Sequence, residues 1–122
     1  MKALSAAVTL LLMAACATAA RAPAPLDPVG RFEFSTLFQG QPLDGTIEIT
    51  GAPGAYTGRL MAGDIPEIPL STVAVEGSEL VVGGMTPNGE LRMRMVFVGN
   101  EFTGGWTLAG DSGELTGRRR VP

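Results

Sequence analysis

Few side chains of this sequence could act as a nucleophile or as its base. The chain has no histidine, and its one lysine and one cysteine are Lys2 and Cys16. A catalytic serine or cysteine needs a neighbouring base, usually an imidazole or an amine, to take its proton. Ser112, in a glycine-rich predicted turn, has neither, since every later cation is an arginine that keeps its proton near neutral pH. We therefore expect no catalysis through a serine or cysteine nucleophile.

Carboxylates form two close pairs in predicted loops, Asp64 with Glu67 and Asp111 with Glu114. Such oxygens suit a hard cation, but calcium takes about six to eight ligands and each loop offers only one pair. A carboxylate pair can also serve as general acid and base, as in glycoside hydrolysis, yet spacing singles out no pair among the 12 acidic residues. The sequence therefore predicts no metal, no cofactor and no enzymatic activity.

Cys16 follows Ala14 and Ala15 at the end of a short apolar run that begins after Lys2. This run, residues 3–15, is too short to cross a bilayer, because a helix rises only about 1.5 Å per residue. A positively charged start, a short apolar segment and small residues at its end are typical of a cleaved signal peptide. We predict that residues 1–15 are such a signal.

The position of the cysteine resembles the precursors of bacterial lipoproteins. In that family the cysteine thiol receives a diacylglycerol group, the chain is cut before the cysteine, and the new amino group is acylated. The resemblance implies lipid attachment, with palmitate-like chains, at Cys16, and a membrane as partner. An ordinary secretory signal is the alternative, because Ala17-Thr18-Ala19 also offers small residues for cleavage.

The residue after the cysteine is Ala17 and not aspartate. By resemblance to the sorting rules of lipoproteins, this implies the outer membrane of the cell envelope, facing the periplasm. Release into the periplasm or outside the cell is the alternative. With Cys16 acylated or removed, the mature chain can form no internal disulfide, so we expect its stability to come from packing.

Residues 16–28 contain three prolines and read as an extended, solvated tether, and residues 29–122 suit one domain. The net charge of −3 and the small aromatic content of 6% argue against nucleic acid as a partner. The basic run Arg118-Arg119-Arg120 could contact anionic lipid headgroups. A solvated strand end, screened by nearby carboxylates, is the simpler expectation.

From residue 29 onward, short apolar runs are separated by glycine, proline, asparagine and aspartate, at a spacing typical of antiparallel β-structure. No run has helical periodicity. In residues 90–98 every second side chain is apolar from Leu91 onward, which predicts one buried and one largely wet face. Eight runs are predicted as strands: residues 31–38, 45–50, 56–61, 70–75, 79–85, 90–98, 101–108 and 113–119.

Short turns between these runs predict an all-β fold, an antiparallel eight-stranded up-and-down barrel, because closure removes exposed edges. A two-sheet β-sandwich is the alternative. Pro66 and Pro69 interrupt residues 64–69, and each removes a donor from any ladder. We therefore expect a loop there that crosses one barrel mouth, with Ile65 and Ile68 covering the opening.

Three predicted strands share the pattern apolar-Thr-Gly, at residues 56–58, 102–104 and 115–117. Each glycine falls on the apolar face, where it lets the strand bend and makes room for a ring from the next strand. Through residues 54–58 and the hairpin rhythm, the chain resembles streptavidin and other lipocalin-like small barrels of secreted proteins. The resemblance implies the architecture alone, since the biotin site of that family needs several tryptophans and this chain has only Trp106.

An eight-stranded barrel is either just filled by its own side chains or just able to hold a small ligand. The predicted inward residues are large enough to fill much of it: Phe32, Phe34, Ile47, Ile49, Tyr56, Leu60, Leu91, Met93, Met95, Phe97, Phe102, Trp106 and Leu115.

We therefore expect first a non-catalytic cell-envelope lipoprotein with a structural or accessory interaction role, whose protein partner the sequence does not identify. The alternative is a binding module that holds a small apolar ligand or a lipid tail inside the barrel. Its candidate ligand-lining residues are Tyr56, Met93, Met95, Phe102 and Trp106.

Overall fold

The computed structural model describes residues 26–120, which form nine antiparallel strands and contain no helix. This part of the chain accordingly offers no helix able to cross a membrane. The expectations for the signal at residues 1–15, for Cys16 and for residues 17–25 of the tether lie outside the described residues. The expectation that the tether is solvated through residue 28 is wrong, because Pro28 is buried and Leu26 packs against the core and donates its backbone N–H to the Gly77 carbonyl at 3.0 Å. The strands are β1 (Gly30–Phe38), β2 (Gln41–Thr50), β3 (Thr57–Ala62), β4 (Ile65–Leu70), β5 (Thr72–Glu76), β6 (Glu79–Thr86), β7 (Gly89–Val98), β8 (Glu101–Leu108) and β9 (Asp111–Arg119).

All nine strands belong to one sheet, in the order β4-β3-β2-β1-β9-β8-β7-β6-β5. Sequence neighbours pair antiparallel except β4 with β5, and β1 also pairs with β9, so that Phe34 lies opposite Gly117. The sheet curls into a nearly closed up-and-down barrel. The all-β barrel prediction is confirmed, and the single sheet excludes the sandwich.

The barrel closes at the junction between β4 and β5. Only Ser71 separates the two strands, and its backbone N–H donates to the Gly83 carbonyl of β6 at 2.8 Å. Strand β4 pairs with β3, whereas β5 pairs with β6. A Cβ on Gly84 would lie 2.5 Å from the Pro69 carbonyl oxygen, so β6 passes directly against β4. Strands β4 and β5 together span the barrel once, with β4 paired to β3 and β5 paired to β6. The barrel wall is therefore spanned eight times by nine strands.

The expectation of a loop at residues 64–69 is wrong, because most of this segment is β4. The strand is hydrogen-bonded to a neighbour along one edge only, and prolines are tolerated at the other, unpaired edge. Ile68 and Leu70 point inward and are buried, and their burial offsets the donors lost at the prolines.

Inward-facing glycines stand opposite aromatic residues of the neighbouring strand. The pairs are Phe34 with Gly45, Phe102 with Gly117 and Trp106 with Gly113. A Cβ on Gly117 would lie 2.4 Å from Phe102 Cζ, and a Cβ on Gly45 would lie 2.3 Å from Phe34 Cζ. The missing side chain lets each ring lie against the adjacent strand, as the apolar-Thr-Gly pattern predicted for Gly117. The same prediction is wrong for Gly58 and Gly104, which face backbone and aliphatic atoms and no ring.

One end of the barrel, called the closed end here, carries the turns at residues 51–56, 77–78 and 99–100 and the start of β1. Phe32 packs there edge to face against Phe97 and Phe102, with ring centroids 5.5 and 6.4 Å away. The Arg119 guanidinium lies 4.8 Å from the Phe32 ring centroid and donates to the Val29 carbonyl at 2.9 Å. This end of the interior is therefore filled.

Charged side chains form a ladder on the outer face of β1 to β4. Glu48 accepts hydrogen bonds from Arg31 and from Arg59, whose Nε lies 2.7 Å away, and Arg59 also reaches the Glu67 carboxylate at 3.3 Å. The hydrogen bond from Arg59 lowers the pKa of Glu48, and the same bond raises the pKa of Arg59. The positive charge of Arg59 is thus balanced by carboxylates of the ladder.

Candidate functional site

The opposite end of the barrel, called the mouth here, is open. It is bounded by the turns at residues 39–40, 63–64, 87–88 and 109–110. A cavity of about 510 Å³ extends from the mouth into the barrel. Small-molecule sites usually occupy about 300–1,000 Å³, so the cavity has the size of a ligand site.

Apolar side chains from β1 to β4 and from β6 to β8 make up most of the cavity wall. The strand alternation that buries the core also turns most of these side chains inward, whereas Ile65 and Met85 are exposed at the rim and Pro87 lies in a turn. Such a wall binds water weakly and suits an apolar molecule. The apolar lining residues are Phe34, Phe38, Leu43, Leu60, Ala62, Ile65, Pro66, Ile68, Met85, Pro87, Leu91, Met93, Trp106 and Leu108.

Trp106 is fixed in this wall from several sides. A Cβ on Gly113 would lie 2.7 Å from its Nε1, and the Phe38 ring centroid is 5.5 Å from its own. The indole N–H donates to Thr36 Oγ1 at 2.8 Å, and the Thr36 hydroxyl donates in turn to the Glu114 carbonyl. The ring is 6% exposed. Both polar groups are thus satisfied inside the protein, and the indole has one orientation.

The other polar lining residues lie around the mouth: Asp64, Glu67, Thr86 and Asn88. Both carboxylates are exposed, and Glu67 is ion-paired with Arg59 at 3.3 Å. The negative charge of Asp64 therefore lies at the entrance, and the deeper wall is apolar.

The five candidate ligand-lining residues do not all meet at the cavity. Met93 and Trp106 line it. Met95 and Phe102 are 0% and 2% exposed in the packed part of the interior, and Tyr56 is half-buried just before β3, at the closed end. A ligand-lining role therefore stays a prediction for Met93 and Trp106, and the structure places Tyr56, Met95 and Phe102 away from the cavity.

Several lining residues lay at strand ends that the sequence reasoning did not assign inward. Leu43 precedes the predicted strand 45–50, although Leu43, Ile47 and Ile49 continue one alternating pattern that could have revealed it. Phe38 and Leu108 are the last residues of β1 and β8. In the sequence, residues that line the mouth could therefore be recognised where the apolar alternation continues beyond the central part of each strand.

The carboxylate pairs occupy different places. Asp64 and Glu67 both lie beside the cavity, whereas Asp111 and Glu114 lie on β9 and do not line it. Within residues 26–120, no three cysteine, aspartate or glutamate side chains cluster in a way that could hold a metal ion.

No family model matches the chain, and no curated protein matches it. Among solved structures, the chain is similar to the crystal structure of a point variant of the fluorescent protein UnaG, with a TM-score of 0.48 and 13% sequence identity. The match covers 77% of this chain and 96% of that chain. At this level of similarity nothing about a ligand or a site transfers.

Proposed function

We propose that this protein is a non-catalytic binding module that holds one small apolar molecule in the mouth cavity. The observation that carries the proposal is the half-open apolar cavity of about 510 Å³ above a filled closed end. Transfer of apolar surface from water to such a wall is favourable by about 25 cal/mol per Å². This function was the alternative expectation from the sequence, and the cavity now favours it over a purely structural barrel.

The mouth half stays open because its aromatic rings lie along the wall. Gly45 and Gly113 make room for Phe34 and Trp106 against the neighbouring strands, so neither ring projects across the barrel. Ala62, also inward and buried, adds only a methyl group. The number of large inward residues therefore overestimates how much of the mouth half is filled, because the rings lie in the space left by glycines of the neighbouring strands.

The proposed site is also preformed. Its wall consists of strands paired on both sides in most places, and the hydrogen bonds from Trp106 to Thr36 and from Thr36 to Glu114 hold the largest side chain. Because the wall is already ordered, ligand binding costs the protein little conformational entropy, which favours affinity.

A pair of methionines on β7 offers a matched test. Met93 lines the cavity, whereas Met95, on the same face of the same strand, is buried in the packed part. Both Met→Ala variants remove the same side chain and should lower the free energy of unfolding by about 2–5 kcal/mol. Only Met93→Ala should also change the affinity for a neutral apolar dye, by about threefold or more.

The measurement is a titration of Nile red against Trp106 emission and dye emission, in protein carrying Cys16→Ser so that no detergent is needed. Saturable binding that responds to Met93→Ala and not to Met95→Ala supports the proposal. Equal responses of the two variants, or no saturable binding to the folded protein, would contradict it.

We propose in addition that acyl chains at Cys16 attach this module to the cell envelope, with the outer membrane facing the periplasm as its site. The support for the anchor is the sequence around Cys16 alone. Two or three acyl chains, at about 0.8 kcal/mol for each buried methylene, would give stable attachment.

A further inference from the structure

The side chains that line the cavity offer hydrogen-bond acceptors at its entrance and almost no free donors. We infer that its ligand is an amphiphile with a neutral or cationic, proton-donating head group, and that amphiphiles with a carboxylate head are disfavoured. This inference rests on the proposed function, and it adds the chemical class of the ligand.

The charged side chains at the mouth disfavour an anionic head group. The charged residues that line the cavity are Asp64 and Glu67, and no arginine of the described chain lines it. Arg59, the cation that reaches Glu67, is hydrogen-bonded to Glu48 in the outer ladder. The charge of Glu67 is balanced by Arg59, whereas Asp64 has no ion pair within residues 26–120, so a carboxylate head at the mouth would be repelled by Asp64 and would find no cation of its own.

The side-chain hydrogen-bond donors of the lining are mostly used within the protein. Trp106 Nε1 donates to Thr36, and the Thr36 hydroxyl donates to the Glu114 carbonyl. Thr86, the other hydroxyl of the lining, donates to the Gly89 carbonyl at 2.8 Å. The indole and hydroxyl protons of these three side chains are therefore all donated to groups within the protein.

Of the lining side chains this leaves the Asn88 amide as a donor, and Asn88 also offers an acceptor. An anionic head group at the mouth would lose its hydration without ion pairs or several hydrogen bonds in return, which is costly. A hydroxyl or ammonium head can instead donate to the carboxylates, and Asp64 is the better acceptor because Glu67 is already ion-paired with Arg59. The arrangement thus selects by head group, while the apolar wall binds the tail.

Three probes with the same tail test this inference: 1-dodecanol, dodecylammonium and dodecanoate, each titrated below its aggregation concentration against Trp106 emission. We expect the alcohol and the ammonium to bind at least about tenfold more tightly than the carboxylate, a difference of about 1.4 kcal/mol. Dodecanoate binding as tightly as the others would overturn the inference and leave the proposed function intact. Saturation by none of the three would overturn the proposed function itself.

A charge reversal at the mouth completes the test. Asp64→Lys places a cation where the structure has a carboxylate beside the cavity, so it should strengthen dodecanoate binding and weaken dodecylammonium binding, each by several-fold. Asp111→Lys is the matched control, because Asp111 lies next to another mouth turn but does not line the cavity. Circular dichroism confirms that both variants fold. Unchanged affinities for dodecanoate and dodecylammonium in Asp64→Lys, or the same changes in both variants, would refute the role of Asp64.

Discussion

At the scale of single residues, Thr36 connects binding and stability. Its hydroxyl accepts from Trp106 and donates to the Glu114 carbonyl, which links β8, β1 and β9 at the cavity wall. Only a side chain that both accepts and donates can join these two groups. This polar residue of a mostly apolar wall thus has a structural role.

Thr36→Val keeps the shape of the side chain and removes both hydrogen bonds. It leaves the buried indole N–H without its acceptor, so we expect the free energy of unfolding to fall by about 1–3 kcal/mol. Urea denaturation followed by Trp106 emission measures this change. Thr107→Val, at an exposed position of the same sheet, is the control and should change stability by less than about 0.5 kcal/mol. Equal losses in the two variants would show that the hydrogen bonds contribute nothing.

At the scale of elements, the turn between β8 and β9 contains a residue that does not suit its conformation. Ala109 has a φ of 49° and Gly110 a φ of 84°, so both turn residues are left-handed, as in a type I′ hairpin. Alanine is disfavoured there because its Cβ approaches the following carbonyl. Asparagine tolerates this conformation far better.

Ala109→Asn should therefore raise the free energy of unfolding by about 0.5–1 kcal/mol, seen as a higher midpoint in urea. The same substitution at Ala74, an exposed residue of β5 without a positive φ, should lower stability, because asparagine is unfavourable in strands. A gain at both positions would mean that turn conformation is not the cause.

The elements themselves were mostly predictable from the sequence. Strict alternation in β7 indicated its buried face correctly, since side chains of a strand alternate whatever its partners are. The β4 segment was not predictable, because its prolines are tolerated only by virtue of the unpaired edge at which the strand lies. The cavity was not predictable either, since its volume depends on rings such as that of Trp106 packing against Gly113, and cross-strand register is a tertiary property.

At the scale of the whole molecule, the interior is divided along the barrel axis. The cluster around Phe32 fills the closed end, and the cavity occupies the mouth. Substitutions in the cluster should mainly affect stability, and substitutions in the cavity wall should affect binding as well. The proposed attachment at Cys16 also belongs to this scale, because it decides where the whole domain resides.

Metabolic labelling with radioactive palmitate in a bacterial host tests the attachment. We expect label in the wild-type protein, in the membrane fraction, and none in Cys16→Ser, which lacks the acylated thiol. Ala17→Ser is a control that should keep the label, since only the thiol is modified. Wild-type protein without label would refute the anchor, and the ordinary secretory signal would take its place.

Both ends of the described chain lie on the same side of the molecule. Arg119 donates to the Asp27 and Val29 carbonyls, and the Arg120 backbone N–H donates to the Arg31 carbonyl at 2.8 Å, all at the closed end. Among residues 26–120, the mouth is bordered by tight turns. A reporter domain fused at either end, or a solid support that holds the protein by either end, would therefore leave the entrance unobstructed, and the domain could serve as an immobilised receptor that samples the solution above it.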